Sequence, residues 1–340
     1  MQPGYRMSAP IEEFRFEGQP EALDALIAGA RPRVIRGLVK HWPLVTMARQ
    51  SDHAFASHLI AHDNGTAVDA LVMPPEAEGV VGYRGDVQAF NFSHYKVTVT
   101  QVLQRLLASI DQDQAPGIAL QSATIAGCLP KLLAEHAVPV LDPAIPPRLW
   151  LGNRVTTPAH FDEYQNIACV VCGTRRFTLF PPEQVRNLYV GPLDFAPTGA
   201  AISIARLDRP DDPRFPRLKL ALEHAFTAEL EPGDAIYIPP MWWHHVASLG
   251  KLNALVNYWW KPPQGNGLVP NTRLGGLLHC ILLFKSLPPA ERAAWRELLD
   301  YYVFGDEDPA AHLPEGKRGW LGELDAEQSM KLLERIRQYL

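Results

Sequence analysis

The stretch Thr157-Pro158-Ala159-His160-Phe161-Asp162-Glu163-Tyr164-Gln165-Asn166, continuing through Ile167-Ala168-Cys169-Val170-Val171 and past Gly173 to Arg176-Phe177-Thr178-Leu179-Phe180, decides the fold. Two apolar runs, separated by a glycine and closed by Pro181-Pro182, read as consecutive strands. On a strand, His160 and Asp162 leave the same face, and the even positions continue through Tyr164 to Asn166 as one polar wall. Inside an apolar barrel such a wall is costly unless its groups share a partner, so a common ligand is the natural explanation.

Similar runs lie on either side, at Leu149-Trp150-Leu151, Ala235 to Ile238 and Ala254 to Trp259, with Pro232-Gly233-Asp234 as a tight turn. Short strands broken by turn residues, with 31 prolines spread along the chain, predict a mainly β barrel or jelly roll carrying helices. The segment Pro192 to Arg217 has no period and reads as a long surface loop able to lie over a site. Nearer the start, a short helix is expected over Glu21 to Ala30, an extended run around Val34-Ile35-Arg36-Gly37-Leu38, and a helix face at Val102, Leu103, Leu106 and Leu107. The end is helical: an apolar stretch from Leu274 to Phe284, then Trp295, Leu298, Leu299 and Tyr302, then Leu332, Leu333, Ile336 and Leu340. That is more apolar helix surface than a small cap needs, so it is expected to pack on the chain itself or on a second subunit.

With 340 residues, 47% hydrophobic and 20% charged, the chain can bury a substantial core. A net charge of -5 provides no broad basic field, which argues against bulk nucleic-acid binding. The start MQPGYRMSAPIEEFRFEG has no basic and apolar leader, and no stretch approaches the roughly 18 apolar residues of a membrane span. No membrane association and a cytoplasmic location are therefore expected. Cys128, Cys169, Cys172 and Cys280 are too scattered for a disulfide framework, which fits a reducing compartment. Cys169 and Cys172, three apart in a strand-like run, should point to opposite faces and read as buried structural thiols.

A redox-active Fe(II) site needs two neutral imidazoles, one carboxylate and open positions opposite them. The second imidazole is best supplied by Glu231 to His245, where a turn, a strand and Pro239-Pro240 deliver His244-His245. Neighbours on extended backbone face opposite ways, so only one of the pair points inward, and parity alone does not choose.

The motifs TPAHFDEYQN (157–166), GTRRFTLFPPEQ (173–184), EPGDAIYIPPMWWHHVASL (231–249) and NALVNYWWKPP (253–263), in this order, resemble those of the cupin-like, JmjC-related Fe(II)/2-oxoglutarate-dependent oxygenases. The nearer likeness is to the asparaginyl hydroxylases among them. A weaker echo runs from Val34 to Pro43. The resemblance implies a double-stranded β-helix core with flanking helices, one oxygenase domain over 1–270 with its core motifs in 149–262, and a C-terminal helical extension over 271–340 able to form a homodimer. It implies that His160, Asp162 and His244 hold Fe(II), with His245 either supporting those ligands from behind or structural. Thr157 and Asn166 are then expected to contact the cosubstrate 2-oxoglutarate, with Asn257 and Trp259 on the strand that closes the pocket.

Two positions depart from the family pattern. Arg175 stands where a lysine usually pairs with the far carboxylate of 2-oxoglutarate, and Ala119 stands where a tyrosine hydroxyl helps. Gln121 and Ser122 are further candidate polar groups there. The implied activity is hydroxylation of a protein side chain or a small molecule, with demethylation ranked below it because nothing resembles a chromatin-reading module. The alternative is a metal-binding cupin without oxygenase activity, a non-oxidative enzyme or a binding module.

Overall fold

Every side chain of the strand Gln165–Cys172 is buried, as a strand sandwiched between two packed layers requires. The structure, a computed structural model, describes residues 8–18, 22–85, 87–261 and 273–339. Glu21, Leu340 and the stretch 262–272, in which the expected boundary at 270 falls, lie outside the described residues. Six strands come first: β1 (Ala9–Pro10), β2 (Glu13–Arg15), β3 (Arg33–Arg36), β4 (Val68–Met73), β5 (Ser93–Val97) and β6 (Gly117–Thr124). Eight more follow: β7 (Pro147–Gly152), β8 (Thr156–His160), β9 (Gln165–Cys172), β10 (Arg175–Phe180), β11 (Phe226–Leu230), β12 (Ala235–Ile238), β13 (Trp243–Ser248) and β14 (Asn253–Trp260).

The last eight form two antiparallel sheets, β12-β9-β14-β7 and β11-β10-β13-β8, which face one another as a double-stranded β-helix of the jelly-roll type. Strands β2 and β3 extend the first sheet at one edge and β6, β4 and β5 at the other, while β1 extends the second. Alternation sorts the side chains. Ala168, Val170, Phe177, Leu179, Ile236, Val246 and Leu255 form the interior cluster between the sheets. Ile167, Cys169, Val171, Tyr237, Val256 and Tyr258 point the other way, into a second cluster. There they meet Leu44, Val45, Phe55 and Leu59 from the helices Pro43–Gln50 and Asp52–His62, and Val102, Leu103 and Leu106 from the helix Val99–Ala108.

Gly173 makes the β9–β10 turn with φ +67, and a Cβ there would sit 2.4 Å from both Asn253 Oδ1 and Leu252 O. Only glycine fits this approach. Cys169 and Cys172 both reach the helix-covered cluster, contrary to simple alternation, because a bulge against β14 admits an extra residue at Val171. Both are free thiols, and burial raises them well above the ordinary thiol value, Cys172 to about 12.

The segment 192–217 does not behave as a loose surface loop. Ile202, Ser203, Ala205 and Phe215 are buried. Ala205 and Phe215 pack with Ala159, Phe180 and Trp243 on the outward face of the β8–β13–β10 sheet, and the Ser203 N–H donates to Ala159 O at 2.7 Å.

The chain divides into two units, Met1–Trp260 and Lys261–Leu340. The second carries the helices Leu274–Phe284, Pro289–Leu299 and Ala326–Arg337, with a π-helical turn Asp300–Phe304. Among its described residues only Ala310 is buried. No described helix is long and apolar enough to cross a membrane.

Candidate metal centre

His160 ends β8, His244 is the second residue of β13, and the two are direct partners in the ladder with ring centroids 4.1 Å apart. Strand parity selects between the adjacent histidines. His244 shares the inward face of β13 with Val246, which packs in the interior cluster, whereas His245 points outward beside Thr156, Thr178 and Ala247. Asp162 arrives by a route that alternation does not describe. The strand stops at His160, and Asp162 sits in the loop that follows. Its carbonyl accepts the Met241 N–H at 2.8 Å, which ties this loop to the turn just before β13. Met241 adopts φ +68 there, a left-handed conformation that an L side chain takes at a cost of about 1–2 kcal/mol.

One ligand atom from each of His160, Asp162 and His244 lies within 4.8 Å of the other two. Each imidazole is oriented from behind: His160 Nδ1 contacts Pro158 O at 2.9 Å and His244 Nδ1 contacts Trp242 O at 3.0 Å. A carbonyl can only accept, so Nδ1 carries the proton in both rings and Nε2 is left as a lone pair. His244 Nε2 then faces Asp162 Oδ2 at 3.5 Å, and that oxygen is buried without a hydrogen-bond partner. Two acceptors facing one another repel unless a cation lies between them. Burial, reinforced by His244, pushes the His160 imidazole down to about 4, so it is neutral at pH 7. Although burial works against the Asp162 carboxylate, its pKa stays below the ordinary carboxylate value, so it is ionised at pH 7. Two neutral nitrogens and one anionic oxygen form a donor set that fits Fe(II) and other first-row divalent ions.

Thr157 and Arg175 line one small interior cavity with Trp150 and Ser248, and Ala119 and Gln121 form part of its wall. Thr157 reaches the same interior as His160, three positions on, because a bulge in the β8–β13 ladder shifts the register. Arg175 is buried, and its Nε has no hydrogen-bond partner. Burial pushes its guanidinium down to about 10, and no carboxylate pairs with it among the described residues. Asn166 and Asn257 are buried and joined, Asn257 Nδ2 donating to Asn166 Oδ1 at 3.3 Å, while Trp150 Nε1 donates to Asn257 Oδ1 at 2.8 Å. Trp259 stands edge-on to Trp150 at 5.9 Å.

Three residues of this region were not singled out by sequence reasoning. Ser248 was legible, since it lies four positions after His244 on the same strand face. Trp150 was legible only as part of an apolar run, and Met241 gave no signal because nothing in its side chain announces a left-handed backbone.

Residues 19–266 match the family model described as a cupin-like domain. Jumonji C domain-containing protein 5 of Drosophila melanogaster is 34% identical over 119 residues, 35% of this chain and 28% of that protein. HSPB1-associated protein 1 of Homo sapiens is 31% identical over 147 residues, 43% of this chain and 30% of that protein. The chain thus spans less than a third of the length of either relative. Lysine-specific demethylase JMJ32 of Arabidopsis thaliana is 24% identical over 301 residues, 72% of this chain and 81% of that protein. None of these three names bears on asparaginyl hydroxylation. A two-sheet core with His160, Asp162 and His244 at its mouth and a family match over most of its length place this chain in the cupin-like JmjC-domain family, a 2-oxoglutarate-dependent oxygenase family.

Proposed function

We propose that this protein is an Fe(II)- and 2-oxoglutarate-dependent oxygenase that hydroxylates a protein side chain or a small molecule. The observation that carries this reading is the presence, inside one barrel, of a three-ligand cation site and a buried guanidinium with no anionic partner. Arg175 faces Ser248 across the ladder and Leu179 faces His244, so the two features are four residues apart along the sheet, roughly 13 Å at about 3.3 Å per residue. A long arginine side chain and a short dicarboxylate together suit that span.

His160, Asp162 and His244 would hold the metal from one side and leave the other open to cosubstrate and dioxygen. With Fe(II) and 2-oxoglutarate bound, the site would support oxygen-dependent hydroxylation of a C–H bond, with decarboxylation of the cosubstrate to succinate. Arg175 takes the place of the family's lysine and can grip a carboxylate bidentately, assisted by the hydroxyls of Thr157 and Ser248. Asn166 and Asn257, fixed by Trp150 and by each other, offer amide groups on the opposite wall, with Trp259 beside them. The apolar interior of β9, β10 and β12 keeps water away from these groups.

The likeness to a protein named a lysine-specific demethylase supports a second reading, N-methyl demethylation, which starts from the same hydroxylation and is separated from it by product analysis. Ala119, which offers no hydroxyl, supports a third, a divalent-metal cupin that performs no oxidation. Anaerobic titration of the metal-free protein with Fe(II) and 2-oxoglutarate distinguishes these. A visible charge-transfer band, abolished in Asp162→Ala and weakened in Arg175→Ala, is expected for an oxygenase. Iron binding without a band would favour the non-oxidative cupin.

The expected partner surface is the C-terminal unit, where Leu277, Leu278, Leu282, Leu283, Trp295 and Leu298 are each 43% exposed or more. An apolar surface of this extent supports a homodimer. Light scattering after gel filtration should give twice the chain mass, and a monomer mass would overturn it. Four free cysteines suit a reducing compartment such as the cytoplasm.

A further inference from the structure

The barrel holds a second arginine on its inner face, at the opposite end from Arg175. Trp150 packs against the interior cluster, so Arg148, two positions before it on β7, shares its inward face. The ladder partner of Arg148 is Asn257, and Trp259, two positions further along β14, lies opposite Asn166 at the start of β9. Strand β9 begins three residues after Asp162, so Arg148 and the metal ligands occupy the same end of the barrel. Arg175 opens β10 just after the turn at Gly173, at the other end. Packed sheets lie about 10 Å apart, which leaves room between Arg148 and the ligands on the facing sheet for one acidic side chain.

The Arg148 guanidinium is half-buried and held in place. It lies over the Trp259 ring at 5.8 Å, and its Nη1 donates to both the carbonyl and the hydroxyl of Ser122 at 3.2 Å. Ser122 occupies a left-handed conformation, φ +48, where β6 bulges against β7. Backbone strain of this kind gathers at sites that use it. With Nη1 engaged, the edge formed by Nε and Nη2 makes no hydrogen bond among the described residues, and no carboxylate there pairs with the charge. That edge is a fork able to take a carboxylate bidentately. A cation meets the reverse situation, because the aromatic ring on which an alkylammonium would stack already carries a guanidinium.

We propose that Arg148 is the specificity-determining residue of this site and that the substrate carries a carboxylate, gripped by Arg148 at the barrel mouth while the carbon to be hydroxylated faces the metal. The proposal rests on the oxygenase reading and narrows it to an acidic substrate, which disfavours an N-methyl-lysine. An aspartate or glutamate side chain and a small carboxylic acid share this chemistry, and the experiment separates them.

The test is isothermal titration, under nitrogen, of the protein loaded with Mn(II) and saturating 2-oxoglutarate. The probes are blocked pentapeptide libraries with aspartate, glutamate, asparagine or lysine fixed at the centre, and free N-acetylglutamate. The parent is expected to bind at least one acidic probe about 10–100-fold more tightly than the asparagine and lysine libraries, the range for a charge-assisted pair. Binding of an acidic library assigns a protein side chain, and binding of N-acetylglutamate alone assigns a small acid. Arg148→Gln should erase the preference, and Arg148→Lys, which keeps the charge without the fork, should retain part of it. Both variants should keep the rise in melting temperature that 2-oxoglutarate gives the Mn(II)-loaded parent. Equal binding of acid and amide by the parent, a preference for lysine, or no binding of any probe overturns the proposal, and this comparison decides even where a variant fails to fold. The proposal falls equally if Arg148→Gln keeps the preference, or if it folds but no longer responds to 2-oxoglutarate, which would make Arg148 a cosubstrate contact. An acid preference in a parent that does not respond to 2-oxoglutarate would uphold the acidic ligand and defeat the oxygenase reading instead.

Discussion

Arg175→Met removes a buried positive charge while keeping a side chain of similar length. Burial lowers the guanidinium from its ordinary 12.5 to about 10, and at about 1.36 kcal/mol per pKa unit this is a penalty of about 3 kcal/mol for holding the charge in the barrel. The unfolded guanidinium keeps its proton to higher pH than the folded one. The penalty is therefore fully present at pH 7 and is relieved only as pH rises past about 10. The methionine variant, free of ligands, should melt several degrees above the parent, at about 2–4 °C per kcal/mol for a domain of this kind. Water reaching the guanidinium makes the full figure an upper bound. The same substitution should abolish the rise in melting temperature that 2-oxoglutarate gives the metal-loaded parent. Differential scanning calorimetry of both proteins, with and without Mn(II) and 2-oxoglutarate, reads both effects. A ligand-free variant that melts below the parent would refute the reasoning, because Arg175 would then be satisfied within the barrel and not waiting for an anion.

Gly173→Ala places a Cβ 2.4 Å from Leu252 O at φ +67, and urea unfolding should show a loss of about 2 kcal/mol or more. Met241→Pro removes the N–H that holds the Asp162 loop and forbids φ +68, so it should weaken Co(II) binding, while Met241→Gly, which keeps the N–H, should not; equal affinities for the two would discount the clamp. His136 is buried with its Nδ1 2.6 Å from Leu132 O and Nε2 accepting from Leu44 N, and burial lowers its pKa. Its contribution to stability is present above the ordinary histidine range and is lost as pH falls through that range toward its folded value, so His136→Gln should flatten the acid limb of the stability profile. An unchanged limb would remove His136 from the account.

The chemistry was more legible in the sequence than its geometry. The runs that became β9, β10, β12 and β14 declared themselves because both faces of the β-helix strands bury apolar side chains, leaving short unbroken hydrophobic segments. The H-x-D spacing pointed to His160 and Asp162, but its rationale, a continuous strand, was only half correct. The strand ends at His160, and Asp162 is aimed by a backbone hydrogen bond to Met241 that no side-chain pattern encodes. Thr157 likewise reaches the interior through a bulge. The choice between His244 and His245 needed the register of β13, which Val246 fixes by packing inside. The region from 50 to 97 stayed unreadable for a physical reason. The helix Asp52–His62 has almost no apolar asymmetry, and β5 is exposed on both faces, so neither carries the alternation that marks a half-buried element.

The Met241 clamp also bears on the order in which the molecule folds. His160 and His244 are 84 positions apart in the chain and become neighbours only when β8 pairs with β13. The third ligand is not in place until the loop after β8 has docked on the turn before β13. No two of the three ligands belong to one locally formed hairpin that presents them together. A metal ion therefore has little purchase on the early chain and cannot act as a nucleus, since closing so long a loop must precede the contacts that reward it. Its capture comes late, and the appearance of metal affinity during refolding serves as a clock for completion of the whole barrel.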